Sequence, residues 1–228
     1  MWLRDLLPEK LPGCRVMTLG YDASAKNISV ASFRDTAHSL LQLLRDMRED
    51  PIYANIPIVF VGHSLGGIII KQAILLARNQ DNLAYVAKCI KGVVFFGTPH
   101  LGLNTAQWNL LVMRIVNIGA TVASGFKRSL LKNLQTQHLE GLLHINEDFQ
   151  ALAAKYAIVS FYEEHSYRVW DKVILDKEYA VTGLPHEERM MISGTHTSMC
   201  RFSKGDVQFE AVWKRIKKAA EGVKQFDP

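Results

Sequence analysis

Short apolar runs alternate with amphipathic stretches through the first half of the chain. CRVMTLGY (14–21) is apolar and β-branched, is marked by Gly13 and Gly20, and reads as a buried strand. From Ser32 the spacing changes: Ala37, Leu40, Leu41, Leu44 and Met47 recur at helical intervals, with Arg34, Asp35, Gln42, Arg45 and Asp46 between them. Ser32 is the expected N-cap of this helix and Pro51 its stop. Pro57 opens IVFVG, an almost wholly apolar strand, and Gly66 leads into a helix through Ala77. KGVVFFG (91–97) is a further buried strand.

Residues 104–155 read as helical throughout. AIVSFY (157–162) resumes strand character, followed by a shorter candidate at VIL (173–175) and another at RMMIS (189–193). The tail, about 207–222, patterns as an amphipathic helix with Val207, Val212 and Ile216 inward. Strands that are apolar throughout, alternating with helices, predict βαβ units: a parallel sheet covered on both faces. The expected architecture is one α/β domain over 1–228 with a helical insertion at about 104–155.

Composition narrows the function classes. The chain has 228 residues, 48% of them hydrophobic, which excludes a disordered or collagenous chain. Cys14, Cys89 and Cys200 are too few and too scattered for a disulfide scaffold or a CxxC zinc site. The opening MWLRDLLPEKLPG lacks the apolar core of a secretory signal, and residues 108–126, the most apolar long stretch, are broken by Asn109, Arg114, Asn117 and two glycines. The absence of a sorting signal points to the cytoplasm. The formal charge of +5 is matched by Lys214, Arg215, Lys217, Lys218 and Lys224 in the tail. A solvated helix face is the expected reading, and no basic patch interleaved with aromatics marks a nucleic-acid partner.

The chemistry lies at Gly62-His63-Ser64-Leu65-Gly66, a G-x-S-x-G pentapeptide with an apolar strand before it and an amphipathic helix after it. That context is what a nucleophile elbow requires. Glycines on both sides of Ser64 relieve crowding in a strained turn, and the helix N-terminus favours a developing negative charge. GHSLGG lacks the Walker lysine position and the G-x-G-x-x-G pattern, which sets aside a phosphate-binding loop.

A nucleophilic serine needs a base, and the base an orienting carboxylate, in the chain order Ser, acid, His. His196, in the small polar loop SGTHTSMC, is the expected base, with His165 and His186 as surface histidines. His63 is expected to be structural, and His138 and His144 fit no metal-ligand spacing. Three carboxylates compete for the orienting role: Glu163 directly after AIVSFY, its neighbour Glu164, and Asp176 after VIL. No metal or cofactor is called for.

Taken together, VFVGHSLGGIIIKQAI, VVFFGTPHLG, IVSFYEE, THTSMCRF and the opening WLRDLLPEKLPGCRVMTLGYDAS resemble the serine esterase branch of the α/β-hydrolase superfamily. The resemblance covers about residues 2–219. Its nearest forms are the serine-active-site lipase-like proteins and the N-terminal hydrolase domains of fungal nucleotide-binding immune-type receptors. It implies an α/β-hydrolase fold with a lid-like insertion, Ser64 as nucleophile, His196 as base and Glu163 as acid. Gly97, Thr98, Pro99 and His100 match the family's GTPH turn beside the elbow.

Members of the branch usually carry, upstream, a strand ending in His-Gly whose loop supplies half of the oxyanion hole. This sequence opens at Met1-Trp2-Leu3-Arg4 without such a segment, so the expectation is a fold lacking its first strands. The backbone N–H of Leu65 is the one oxyanion donor expected.

The implied function is hydrolysis of a lipid or other apolar acyl ester, with Trp108, Leu110, Leu111, Val112, Ile115, Val116 and Ile118 as candidates for a lid. The alternative the resemblance implies is a catalytically impaired hydrolase-like interaction module linked to nucleotide-binding receptor regions. The resemblance also allows peripheral association with a mitochondrial or endoplasmic-reticulum membrane.

Overall fold

The computed structural model describes residues 1–22, 29–100, 104, 106–108, 110–111, 114–115, 136–166 and 173–223. Within them a four-stranded parallel sheet runs in the order β1 (Ile58–His63), β2 (Ile90–Phe96), β3 (Ala157–Glu163) and β4 (Glu188–Ile192). The helices are α1 (Trp2–Asp5), α2 (Leu7–Lys10), α3 (Val30–Asp46), α4 (Pro51–Ala54), α5 (Gly66–Asn79), α6 (Ala84–Cys89), α7 (Thr136–Ala153) and α8 (Val207–Glu221).

Successive side chains of β2 point to opposite faces, and both faces are covered. Val93 and Phe95 join Ile58, Phe60 and Ile158 in a core with Phe33 and Leu41 of α3 and Ile68 and Ile74 of α5. Val94 and Phe96 join Val159, Phe161 and Ile192 in a second core with Trp2, Leu7 and Phe209, Val212 and Ile216 of α8. The Phe96 and Phe161 rings stack with centroids 4.6 Å apart. Gly92 lets α8 come close, because a Cβ there would lie 2.7 Å from the Cβ of Ala219. This two-sided burial is why the strands read as unbroken apolar runs.

Five expectations need correction. Residues 14–21 form no strand: they pair with none among the described residues, and Cys14, Arg15, Met17, Thr18, Leu19 and Gly20 are exposed. An apolar run becomes a strand only where a neighbour takes up its N–H and C=O groups. VIL (173–175) is likewise no strand, although Ile174 and Leu175 are buried, because the Leu175 N–H is taken by a side chain.

The N-cap of α3 is Ser29, whose hydroxyl accepts from the N–H of Ser32 at 3.1 Å, and the helix ends at Asp46. Pro51 does not stop that helix. It opens α4, where the Asp50 carboxylate caps the N–H of Ile52. Val207, at the first turn of α8, is 81% exposed, and Phe209 with Ala219 completes the inward face instead. Lys214, Lys217 and Lys218 of α8 are exposed as expected, Arg215 is half-buried, and Arg215 and Lys218 both pair with Glu188.

In the middle of the chain Trp108 and Leu111 are packed into the first core, Ile115 packs against it, and Leu110 is exposed. Val112, Val116 and Ile118 lie outside the described residues. Trp108 is therefore a packing residue. Trp108→Ala should lower the unfolding free energy by about 3–5 kcal/mol, the usual cost of emptying such a site. Urea unfolding monitored by circular dichroism measures it, and a loss under 1 kcal/mol would place Trp108 outside the core.

Candidate active site

Parallel strands end on one side, and the loops that leave them meet there. The register brings His63 level with Phe96, and Phe96 level with Phe161. Ser64 follows β1, Gly97 follows β2, Glu163 ends β3, and His196 lies in the loop after β4.

Ser64 has φ +54°, the left-handed region, and no other non-glycine residue described has positive φ. For a residue with a side chain this conformation is strained and must be held by its surroundings. The Ser64 N–H donates to the Phe96 carbonyl at 2.9 Å, and the Ser64 carbonyl accepts from the N–H of Gly67 at 3.1 Å. The sharp bend also needs space. A Cβ at Gly62 would sit 2.8 Å from the Cα of Gly67, and one at Gly67 would sit 2.2 Å from the Thr98 hydroxyl. At Gly66 a Cβ would meet nothing nearer than 3.7 Å. Gly62 and Gly67 are therefore the glycines this turn requires, and the pentapeptide's second glycine is not.

His196 is 2% exposed and spans two partners. Its Nε2 lies 2.9 Å from Ser64 Oγ, and its Nδ1 lies 3.2 Å from Glu163 Oε1. Glu163 is 5% exposed, and its Oε1 also accepts from the N–H of Leu175 at 2.8 Å. Glu163 Oε2 has no hydrogen-bond partner among the described residues.

The competing carboxylates stand elsewhere. Glu164 is exposed and lies 3.5 Å from His165 Nε2, and Asp176 is exposed. Alternation along β3 separates Glu163 from Glu164, because neighbouring strand residues point to opposite sides. His165 is an exposed partner of Ser193, and His186 is held by the Tyr156 carbonyl. His144 pairs with Glu147 on the outside of α7, and the side chain of His138 lies outside the described residues. Among the described residues no group of three His, Cys, Asp or Glu side chains is placed to hold a metal. Similarly, no described helix is long and apolar enough to cross a membrane.

Beyond the sequence reading, His63 and Lys71 are bound into the site. His63 Nε2 lies 2.7 Å from the carbonyl oxygen of His196, and the two rings are 4.9 Å apart. A carbonyl only accepts, so Nε2 carries the proton and donates. Desolvation of the packed side of the ring, with His196 beside it, pushes the His63 pKa down to about 4, although the residue keeps a solvent-facing edge. His63 thus ties the loop bearing His196 to the strand bearing Ser64. Its place as the variable residue of G-x-S-x-G was the available signal, but no rule of the motif assigns it a partner.

Lys71, four residues beyond Gly67 on α5, is 1% exposed and donates to the Pro99 carbonyl at 3.0 Å and to Asn146 Oδ1 at 2.5 Å. A cavity of about 180 Å³ lies beside Leu175, walled by Leu110, Leu111, Val173 and Ile174 with Arg114 and Asp176 at its margin.

Comparison with known proteins identifies a family and a fold. The family described as "Putative serine esterase (DUF676)" matches residues 5–145. Protein SERAC1 of Bos taurus is 26% identical over 156 residues, which is 67% of this chain and 23% of the relative. Protein SERAC1 of Homo sapiens is 26% identical over 143 residues, 61% of this chain and 22% of the relative. The chain thus spans about a quarter of the length of these curated relatives.

Among solved structures, RedJ with a PEG molecule bound in the active site aligns with TM-score 0.50 at 12% identity, covering 94% of this chain and 86% of that one. RedJ thioesterase from the prodiginine biosynthetic pathway of Streptomyces coelicolor aligns with TM-score 0.43 at 11% identity, covering 80% and 71%. The first of these carries the fold assignment, α/β-hydrolase.

Two outcomes are expected. His63→Gln, which keeps an N–H donor, should retain most activity toward an ester, whereas His63→Phe should lower kcat about tenfold, the worth of a hydrogen bond of about 1.4 kcal/mol. Equal activity in the two variants would remove the hydrogen bond from the account.

The second outcome concerns pH. Burial, with Lys71 nearby, holds the His100 imidazole well below its ordinary 6.5. Between 6.5 and that depressed value the unfolded chain binds a proton that the folded chain does not, so stability falls as pH falls. The slope approaches about 1.4 kcal/mol per pH unit. His100→Leu should flatten the decline in Tm between pH 7 and pH 5, measured by scanning calorimetry, and an unchanged decline would exclude His100 as its source. The chain belongs to the DUF676 serine esterase family, a hydrolase family of the α/β-hydrolase fold.

Proposed function

We propose that this chain hydrolyses carboxylic esters, with Ser64 as nucleophile, His196 as general base and acid, and Glu163 as the carboxylate that orients the imidazole. The observation that carries the reading is the buried relay from Ser64 Oγ through His196 to Glu163, at 2.9 and 3.2 Å, on a serine held at φ +54° between strand and helix. It turns the family's hydrolase character into named roles.

In the first half-reaction Ser64 Oγ attacks the ester carbonyl carbon while His196 Nε2 takes its proton. Glu163 Oε1 accepts from Nδ1–H and stabilises the imidazolium that forms. The tetrahedral oxyanion faces the N–H of Leu65, the residue that begins the turn into α5, where the positive end of the helix dipole lies. Collapse breaks the bond to the leaving alkoxide, His196 returns the proton to it, and the free alcohol departs. Water then attacks the acyl-serine with His196 again as base, releasing the carboxylic acid and restoring Ser64. None of these steps calls on a metal or an organic cofactor.

A lipid or other apolar acyl ester is the substrate class that the resemblance of the sequence to the serine esterase branch implies. The mutually opposed demands on Glu163 also support its role. A buried carboxylate with one oxygen unpartnered among the described residues is costly, and an imidazolium forming 3.2 Å away offsets that cost in the transition state.

Labelling by a fluorophosphonate probe tests the assignment. Wild type should label on Ser64, and Ser64→Ala and His196→Ala should not. Glu163→Gln should label about 10⁴-fold more slowly, the usual cost of losing the carboxylate partner of a catalytic imidazole. Glu164→Gln and Asp176→Asn should label at the wild-type rate. A folded wild-type chain that fails to label would overturn the hydrolase mechanism in favour of a binding role for the site.

A further inference from the structure

The turn between β2 and the insertion, residues 97–100, touches the surroundings of both proton-transfer partners. On one side Gly97, at φ +50°, forms the floor under the base: a Cβ there would come within 3.0 Å of both Cε1 and Nδ1 of His196. On the other side Thr98 packs against Gly67 in the first turn of α5, directly behind Ser64. Any displacement of this turn therefore reaches Ser64 and His196 together.

Part of the turn is held by backbone partners. The Gly97 N–H donates to the Phe161 carbonyl at 2.8 Å, and the His100 N–H donates to the Tyr179 carbonyl at 2.8 Å. The carbonyls of Pro99 and His100 are held instead by two buried side chains: Lys71 Nζ donates to Pro99 O, and Asn146 Nδ2 donates to His100 O at 3.0 Å. Lys71 Nζ also donates to Asn146 Oδ1, so the two side chains brace each other across α5 and α7. Phe95 and Phe149 close over the amine, with ring centroids 5.4 and 5.8 Å from Nζ.

A methionine would fill this space without burying a polar head. The carboxylate whose field reaches the amine, Glu187, is already bound to Arg189 at 2.9 Å. Burial holds the Lys71 pKa well below its ordinary value, and the amine serves here as a hydrogen-bond donor to two oxygens rather than as one half of an ion pair. What the position gains from lysine is reach: Nζ extends from the face of α5 that carries Gly67 to a carbonyl with no ladder partner.

We propose that Lys71, braced by Asn146, is a positioning residue for the hydrolytic reaction: it fixes the 97–100 turn that supports His196 on one side and backs the Ser64 elbow on the other. This inference rests on the esterase reading above. The pair touches no reacting atom, so its loss misplaces the proton-transfer geometry while leaving substrate contacts intact. Small misplacements of this kind cost about 10–100-fold in rate.

The test compares wild type with Lys71→Met and Asn146→Leu at a temperature where near-UV circular dichroism shows all three folded. Fluorophosphonate labelling and hydrolysis of a short-chain p-nitrophenyl ester should slow 10–100-fold, with KM unchanged and kcat carrying the loss. The double variant should lose no more than the worse single one, because either substitution dismantles the same brace. If Lys71→Met does not fold, Asn146→Leu, which leaves the lysine packing in place, decides alone.

His196 ring resonances in the nuclear magnetic resonance spectrum give a second readout, independent of turnover, and should shift in the variants. Normal labelling rates and unshifted resonances in folded variants would overturn the proposal and leave the hydrolase reading standing. A wild-type chain that does not label, with His196 resonances that still move in the variants, would sink the hydrolase reading while keeping the brace.

Discussion

Parallel pairing of β1 through β4 is the constraint on which everything else depends. Because the four strands point one way, their carboxyl ends open on one edge, and residues far apart in the chain are delivered to the same place. Ser64 and His196 are 132 positions apart, yet their hydrogen-bonding atoms are 2.9 Å apart. The cost of that order falls on the backbone at Ser64, which is driven to positive φ and held there by the Phe96 carbonyl and the Gly67 N–H. A flexible loop would not hold this conformation. The apolar layers on both faces of the sheet do, by leaving the strands no freedom to slide.

The polar groups near this edge form one continuous set. His63 ties the base loop to the elbow strand, Gly97 supports the base from below, and Thr98 fills the space left by Gly67. Lys71 and Asn146 hold the turn that carries Gly97 and Thr98. Each contact is modest, and each removes one way in which Ser64 and His196 could drift apart. Preorganisation in this sense is paid for during folding, through buried bases whose protonation lowers stability, as with His100.

Much of this was legible in the residues. Unbroken apolar runs at IVFVG, KGVVFFG and AIVSFY marked the three strands that carry the site, and the glycine-flanked serine marked the elbow. Two readings failed for one reason. CRVMTLGY and VIL have strand composition, but strand formation depends on a neighbour, and composition carries no record of one. The cap of α3 was misplaced by three residues because Ser29 and Ser32 are equally good caps by type, and backbone geometry decides between them. The role of Val207 failed because helical periodicity gives a face but not where the helix first meets the sheet.

By itself the sequence determined the two-sided sheet, the serine turn and the candidate set of bases and acids, because these follow from local pattern and side-chain chemistry. The residues by themselves left Glu163, Glu164 and Asp176 in competition, the family resemblance singled out Glu163, and the tertiary structure is what brings its carboxylate to His196. The pleat turns Glu163 inward and Glu164 out to solvent, a difference of one residue that no composition records. It also decided that Gly67, rather than Gly66, is the indispensable glycine, and that a lysine is wholly buried behind the elbow. Those outcomes depend on which atoms approach from elsewhere in the chain, and that is settled only when the sheet and its helices close around them.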